Sequence, residues 1–309
     1  IPLQFYFGPN HFSTLKSYDM GFEKIVPLGG WLIGWINRYI IIFVFDFLSK
    51  FIDNYGIIIL LLTVMIKLVI SPLTLKSYLS SAKMRVLKPE VDKINAKYPR
   101  QEDAVKKQQE TMDLYSKAGV SMFGGCLPML LQFPVLLAMF RFFPSSFELR
   151  QESFLWATDL STYDSILDLP FTIPLYGDHI SLFALLMAAS MFFYSRMNMD
   201  QMNSNPQMAG MKFMTLYFMP LFLLFLGNNF SSGLSYYYLL SNLITMLQTW
   251  VIRRFFVDEQ KIYDMFSLIS VDSSKIADRV KTRLHKENTK IPMKNHRHWT
   301  KSAVAAIVM

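Results

Sequence analysis

Hydrophobic positions along the chain gather into long runs rather than short alternating patterns. Five runs, at 55–75, 122–143, 180–197, 210–227 and 233–256, carry few charges or none. An α-helix needs about 20 such residues to cross the hydrocarbon core of a bilayer, so each run predicts a membrane-spanning helix. A sixth apolar stretch, "WLIGWINRYIIIFVFDFLSKFID" at 31–53, differs from the others. There Arg38, Asp46, Ser49 and Asp53 share one sector at helical spacing, opposite isoleucine and phenylalanine. With Trp31 and Trp35 at its start, this pattern predicts an interfacial amphipathic helix; the alternative is a sixth span with a charged face turned into the bundle.

Between the first two spans, residues 76–118 hold helix-forming residues on both sides of Tyr98, Pro99 and Arg100. Proline breaks the helix there. The segment therefore predicts a helical hairpin with Leu79, Val91, Ile94, Val105 and Met112 available for a thin seam. Upstream of all helices, "IPLQFYFGP" has strand-like content ended by Gly8 and Pro9, and reads as the last piece of a soluble domain that begins before Ile1. No signal-peptide pattern is present at the start.

Polar residues inside the apolar runs are informative because lipid offers them no partner. Thr63, Lys67 and Ser71 stand at i, i+4 and i+8 and share one helical face. In the last run Tyr238, Ser241, Asn242, Thr245, Gln248 and Thr249 form another stripe. Gln132 lies between Pro128 and Pro134, which should bend the second span and free backbone carbonyls. A lysine at bilayer depth costs about 2.5 to 3.5 kcal/mol on insertion scales, so a wet or hydrogen-bonded face is where it fits best. Snorkelling is the competing account, but Leu75 at the helix end is about 12 Å away at 1.5 Å per residue. For the stripe the competing account is interhelical hydrogen bonding, about 0.6 kcal/mol per contact. If neither holds, the faces surround a hydrophilic groove open to the cytoplasm.

Composition supports a membrane protein and charge orients it. Of 309 residues 52% are apolar, and mean hydropathy is +0.26, too high for an ordinary soluble domain of this length. Segment 76–118 carries ten Lys/Arg and the tail from 258 ten more, whereas 145–179 has Arg150 alone against six acidic residues. Positive loops stay inside. The hairpin and tail are thus cytoplasmic, and 145–179 and the N-terminal piece lie outside. The expected domains are 1–30, an extracytoplasmic remnant; 31–53, the interfacial helix; 54–257, the five-span core with the 76–118 hairpin; and 258–309, a basic tail suited equally to ribosomal RNA or anionic lipid.

Several function classes lose support. The chain has no G-x-x-x-x-G-K-[ST] loop and no H-E-x-x-H. "HRH" at 296–298 sits in the basic tail, and Cys126 sits among apolar residues beside Gly125, where packing explains it. No enzyme activity, cofactor, metal or small-molecule substrate is expected. A secondary transporter using Lys67 as an ion or proton site is the alternative, although five spans cannot form a simple inverted repeat. A scaffold that only recruits partners is a third reading.

"TVMIKLVISPLT", "GGCLPMLLQFPVLLAMF", "FELRQESFLWATDLS" and "FMPLFLLFLGNNFSSGLSYYYLLSNLITMLQ" together resemble the YidC membrane protein insertase family, in order and spacing, over residues 31–257. The N-terminal piece is similar to the end of the periplasmic β-sandwich of its Gram-negative type. The resemblance implies an all-α integral membrane protein of the bacterial inner membrane, with a five-helix core around a polar groove, that inserts nascent membrane proteins alone or beside the Sec translocon. It places the groove charge on Lys67, where the family has arginine, and a neighbouring polar residue on Thr63. Client contacts fall on Phe133, Leu136 and the tyrosines Tyr237 and Tyr238. Lysine keeps the charge and loses the planar five-donor fork.

Overall fold

The structure, a computed structural model, describes residues 6–117, 119–120, 127–199 and 212–255. The basic tail, Cys126, the start of the second apolar run and most of the 198–208 loop lie outside the described residues. The fold is mostly helical. Its helices are α1 (Phe12–Ser17), α2 (Trp31–Leu48), α3 (Tyr55–Val86), α4 (Lys88–Lys97), α5 (Ala104–Lys117), α6 (Leu127–Ser145), α7 (Leu182–Met197), α8 (Met214–Gly227) and α9 (Ser232–Phe255). A two-stranded antiparallel hairpin, β1 (Leu167–Ile173) and β2 (Gly177–Ile180), lies between α6 and α7. That hairpin departs from an all-α fold. Pro170 and the irregular burial along β1 remove the period-two signal that would have revealed it.

The chain divides into two compact units. The first holds Ile1–Lys67, Leu130–Arg196 and Phe213–Ile244, and the second Leu68–Met129, Met197–Lys212 and Thr245–Met309. Helices α3 and α9 each run through both.

In the first unit, Ile58, Ile59 and Leu62 of α3 are fully buried with Met139 and Phe143 of α6 and Phe183 of α7. An aromatic series joins the helices: Phe45 of α2 meets Phe142 edge-on at 5.1 Å, and Phe143 lies 6.1 Å from Tyr237 of α9. Tight approaches need small residues. A Cβ on Gly56 would sit 2.1 Å from the Phe154 ring, so the start of α3 can hold that ring only as glycine.

Helix α2 contains a π-helical turn, Asn37–Ile41, which adds a residue to the repeat. The regular spacing drawn from Arg38 to Asp53 therefore does not hold, and the helix ends at Leu48, before Asp53. Instead of a charged face, Trp31, Trp35, Tyr39, Phe43 and Phe47 point outward, while Ile36, Asn37, Ile41, Ile42 and Phe45 are buried. Upstream, residues 6–30 hold α1 and a short 3₁₀ turn, Phe22–Ile25, while residues 1–5 of the strand-like stretch lie outside the described residues.

The loop after α6 is organised by two polar residues. Asp164, only 3% exposed, accepts hydrogen bonds from Trp156 Nε1 at 2.8 Å, Ser181 Oγ at 2.5 Å and the amides of Leu182 and Phe183 at 2.9 and 3.1 Å. Ser181 Oγ in turn accepts from the Ala184 amide. Together they cap α7, whose first amides have no partners within the helix. Asn228 satisfies the other side: its Oδ1 accepts from the Ser181 amide, and its Nδ2 donates to the carbonyls of Tyr176 and His179. His179 returns a bond to the Asn228 carbonyl and stacks on Tyr163 at 3.7 Å.

In the second unit α3 continues as far as Val86. Its 32 residues span about 48 Å, more than a hydrocarbon core of about 30 Å. Pro72 lies inside this helix and withholds its amide from the Leu68 carbonyl. The Ser71 hydroxyl takes that carbonyl at 2.9 Å. Ala82, Leu87 and Val120 form a small core with Tyr115. The guanidinium groups of Arg85 and Arg253 each sit 5.6 Å from the Tyr78 ring centre. Helices α4 and α5 form the expected hairpin, joined by Lys97 to Glu110 at 2.8 Å, which holds the proton on the lysine more firmly. Its seam is thinner than expected. Val91 is buried, but Val105 is 74% and Met112 49% exposed.

Asp164→Ala should lower unfolding stability by about 3 kcal/mol, because several buried donors lose a charged acceptor together. Thermal melts in detergent check this against Asp168→Ala, an exposed site in the same loop, which should change stability by less than about 0.5 kcal/mol.

Candidate functional site

Lysine 67 lies in the first unit among the buried apolar positions of α3 and is 7% exposed. Its ammonium can only donate hydrogen bonds, so whatever faces it must accept. Gln132 Oε1 from α6 does so at 3.2 Å. The opposite end of that amide then presents its NH₂, and Gln132 Nε2 reaches the Tyr237 hydroxyl at 3.5 Å, the long limit of a hydrogen bond. Three helices thus contribute one group each. Pro128 lies in the first turn of α6, where no amide bond is lost, and Pro134 lies within the continuous helix.

The other expected site residues separate by what their polar atoms do. Thr63 is fully buried, and its hydroxyl bonds the Ile59 carbonyl one turn back at 2.6 Å. Asn242 bonds Ser190 of α7 at 3.0 Å, and Ser190 bonds the Met187 carbonyl; that is an interhelical tie. Ser241 is buried, and Tyr238 is half-buried with its ring 5.9 Å from Tyr237. Phe133 is 54% exposed and Leu136 half-buried. Tyr237, by contrast, has no exposed surface. Its ring packs on Phe143, and its hydroxyl meets Gln132. Ser71, Thr245 and Gln248 belong to the second unit.

The charge, its acceptor and the tyrosine lie on helices whose sequences match a known family. The 60Kd inner membrane protein family matches residues 47–260. The chain belongs to that family. Relatives named membrane protein insertase YidC include those of Parabacteroides distasonis, 54% identical over 273 residues, 84% of this chain and 43% of the relative. Bacteroides fragilis has one 54% identical over 268 residues, with the same coverage. That of Porphyromonas gingivalis is 45% identical over 294 residues, covering 90% of this chain and 46% of the relative. The chain therefore spans under half the length of these relatives. A solved structure, described as active YidC insertase with the first transmembrane domain resolved, aligns with a TM-score of 0.50 over 79% of this chain and 54% of that one. At 23% identity that likeness speaks for the fold. In a 60Kd inner membrane protein family member, long apolar helices such as α3 suit embedding in a bilayer.

Gln132→Leu removes the acceptor on Lys67 and should destabilise the chain by about 1 to 3 kcal/mol. Tyr237→Phe, which removes only the long outer bond, should cost less than about 1 kcal/mol. Paired denaturation curves in detergent give the ranking.

Proposed function

We propose that this chain is the membrane-embedded part of a membrane protein insertase of the bacterial inner membrane. The reading rests on one observation: a buried lysine, held by a glutamine acceptor, sits in apolar helices of a chain 54% identical to proteins named membrane protein insertase YidC. Helices α3, α6, α7, α8 and α9 are the five spans, and α2 lies in the interface with its tryptophans at headgroup depth. The charge census puts the α4–α5 hairpin and the tail in the cytoplasm and the 145–179 loop outside.

The mechanism needs no covalent step and no cofactor. A client's hydrophilic end enters a polar groove from the cytosol, where Lys67, Gln132 and Tyr238 replace part of its hydration. Its apolar helix slides past Phe133 and Leu136 into lipid, driven by burial of apolar surface at roughly 25 cal/mol per Å². The membrane potential adds about 2.3 kcal/mol per charge per 100 mV, and this favours anionic segments moving outward. Nascent membrane proteins are the clients; the Sec translocon and, through the tail at 258–309, the ribosome are the partners this reading assigns.

Topology is tested by thiol labelling in a Cys126→Ser background. A cysteine at Thr172, exposed on β1, should react with an impermeant reagent added outside intact cells, and one at Asp92, exposed on α4, should not. Reversed labelling would overturn the orientation.

The lysine is tested by insertion into liposomes. Lys67→Arg should keep activity, since charge and reach are preserved. Lys67→Leu at equal protein level should impair clients with acidic outbound segments about tenfold and neutral ones far less, because a charge acts more strongly in a low-dielectric groove than in water. Equal loss for both client types would sink the proposed role of the charge.

A further inference from the structure

We propose that His11, Asp46 and Glu148 form a binding site for a divalent transition metal of the zinc class, which joins the N-terminal segment, α2 and the loop after α6. The three residues come from separate parts of the first unit, and one ligand atom from each lies within 4.8 Å of the other two. His11 Nε2 is already 2.9 Å from Glu148 Oε1. Ligand atoms around tetrahedral zinc are roughly 3.3 Å apart, given bonds of about 2.0 Å. Modest side-chain adjustment therefore closes the set around one ion, with a fourth position left for water.

The surroundings orient the donors as a metal site requires. His11 Nδ1 pairs with Thr14 Oγ1 at 2.7 Å, so the other ring nitrogen is the one turned to the carboxylates. Ser146 Oγ donates to Glu148 Oε2 at 2.7 Å, and Ser13 Oγ to Asp46 Oδ2 at 2.5 Å. Each ligand thus has its own outer partner from a neighbouring hydroxyl, the arrangement that sets ring and carboxylate orientation in metal sites. All three are half-buried, which limits competition from water.

Charge favours a dication. Two carboxylates sharing one imidazole leave a net negative charge even with the ring protonated, and like charges at this range oppose each other. An imidazole with two carboxylates and few ligands suits zinc better than calcium or magnesium, which take six or more oxygens.

The test uses the whole chain in detergent with Cys126→Ser, which removes the lone thiol, and with His285→Ala, His296→Ala and His298→Ala, which remove the tail's histidines. Equilibrium dialysis against zinc should show one bound equivalent. His11→Ala, Asp46→Asn and Glu148→Gln should each weaken binding at least about tenfold, and Thr14→Val, which keeps every ligand, up to about tenfold. Cobalt(II) added to the parent should give the visible absorption of nitrogen and oxygen ligation, lost in His11→Ala. Melting curves without metal identify any variant that fails to fold, and the cobalt spectrum of the parent then decides. No bound zinc in the parent, or a full equivalent retained by a folded His11→Ala variant, overturns the site.

Discussion

A cation enclosed by apolar helices must be solvated by the protein, and in the first unit that requirement fixes which groups can meet. Lys67 only donates, so Gln132 must turn its carbonyl oxygen toward it. The glutamine NH₂ then needs an acceptor on its far side, and the Tyr237 hydroxyl occupies that place. The tyrosine ring is set by Phe143, and the neighbouring Phe142 is set by Phe45. One buried charge therefore propagates, through polar groups and then aromatic packing, to the placement of α2, α6 and α9 against α3. Apolar packing alone would tolerate several arrangements; a donor-only group in hydrocarbon tolerates few.

The loop after α6, in the same unit, follows the same rule. Asp164 accepts four hydrogen bonds and Asn228 uses both its amide oxygen and its amide nitrogen. Asp159, in the same loop, is held below its ordinary pKa: burial raises it, but the hydroxyl and amide of Ser161, with the amides of Gln151 and Thr162, more than offset that. Hydrogen bonding is dense in this loop as a result.

Most of the helical framework was legible because long apolar runs have one stable form in lipid. The lysine face was legible because a charge in such a run needs a reason. What could not be read were features set by distant partners. Asp164 and Asn228 look like ordinary loop residues until α7 needs a cap, and His11, Asp46 and Glu148 come together only in three dimensions. The π-helical turns, Asn37–Ile41 and Met214–Phe218, leave no mark on composition, yet each shifts the face of everything after it. For that reason the polar sector drawn on α2 dissolved while its two tryptophans stayed exposed.

Polar residues at helical spacing do not by themselves make a wet face. Threonine and serine can bond the carbonyl one turn back, as Thr63 does with Ile59, and serine can also take a carbonyl that a proline has freed, as Ser71 does with Leu68. Such hydroxyls are satisfied within their own helix and ask nothing of the neighbours. A lysine, a glutamine amide or a tyrosine hydroxyl stands too far from its own backbone for that, so each requires a partner from another element. Counting only these reduces the stripe in the first unit to Lys67, Gln132 and the Tyr237–Tyr238 pair. Of these, Lys67 and Gln132 hold each other, and Tyr237 is wholly enclosed. Under the proposed insertase reading, half-buried Tyr238 is then the polar side chain of this set best placed to meet an incoming segment, with Lys67 acting on that segment chiefly through its field, which reaches farther than any hydrogen bond.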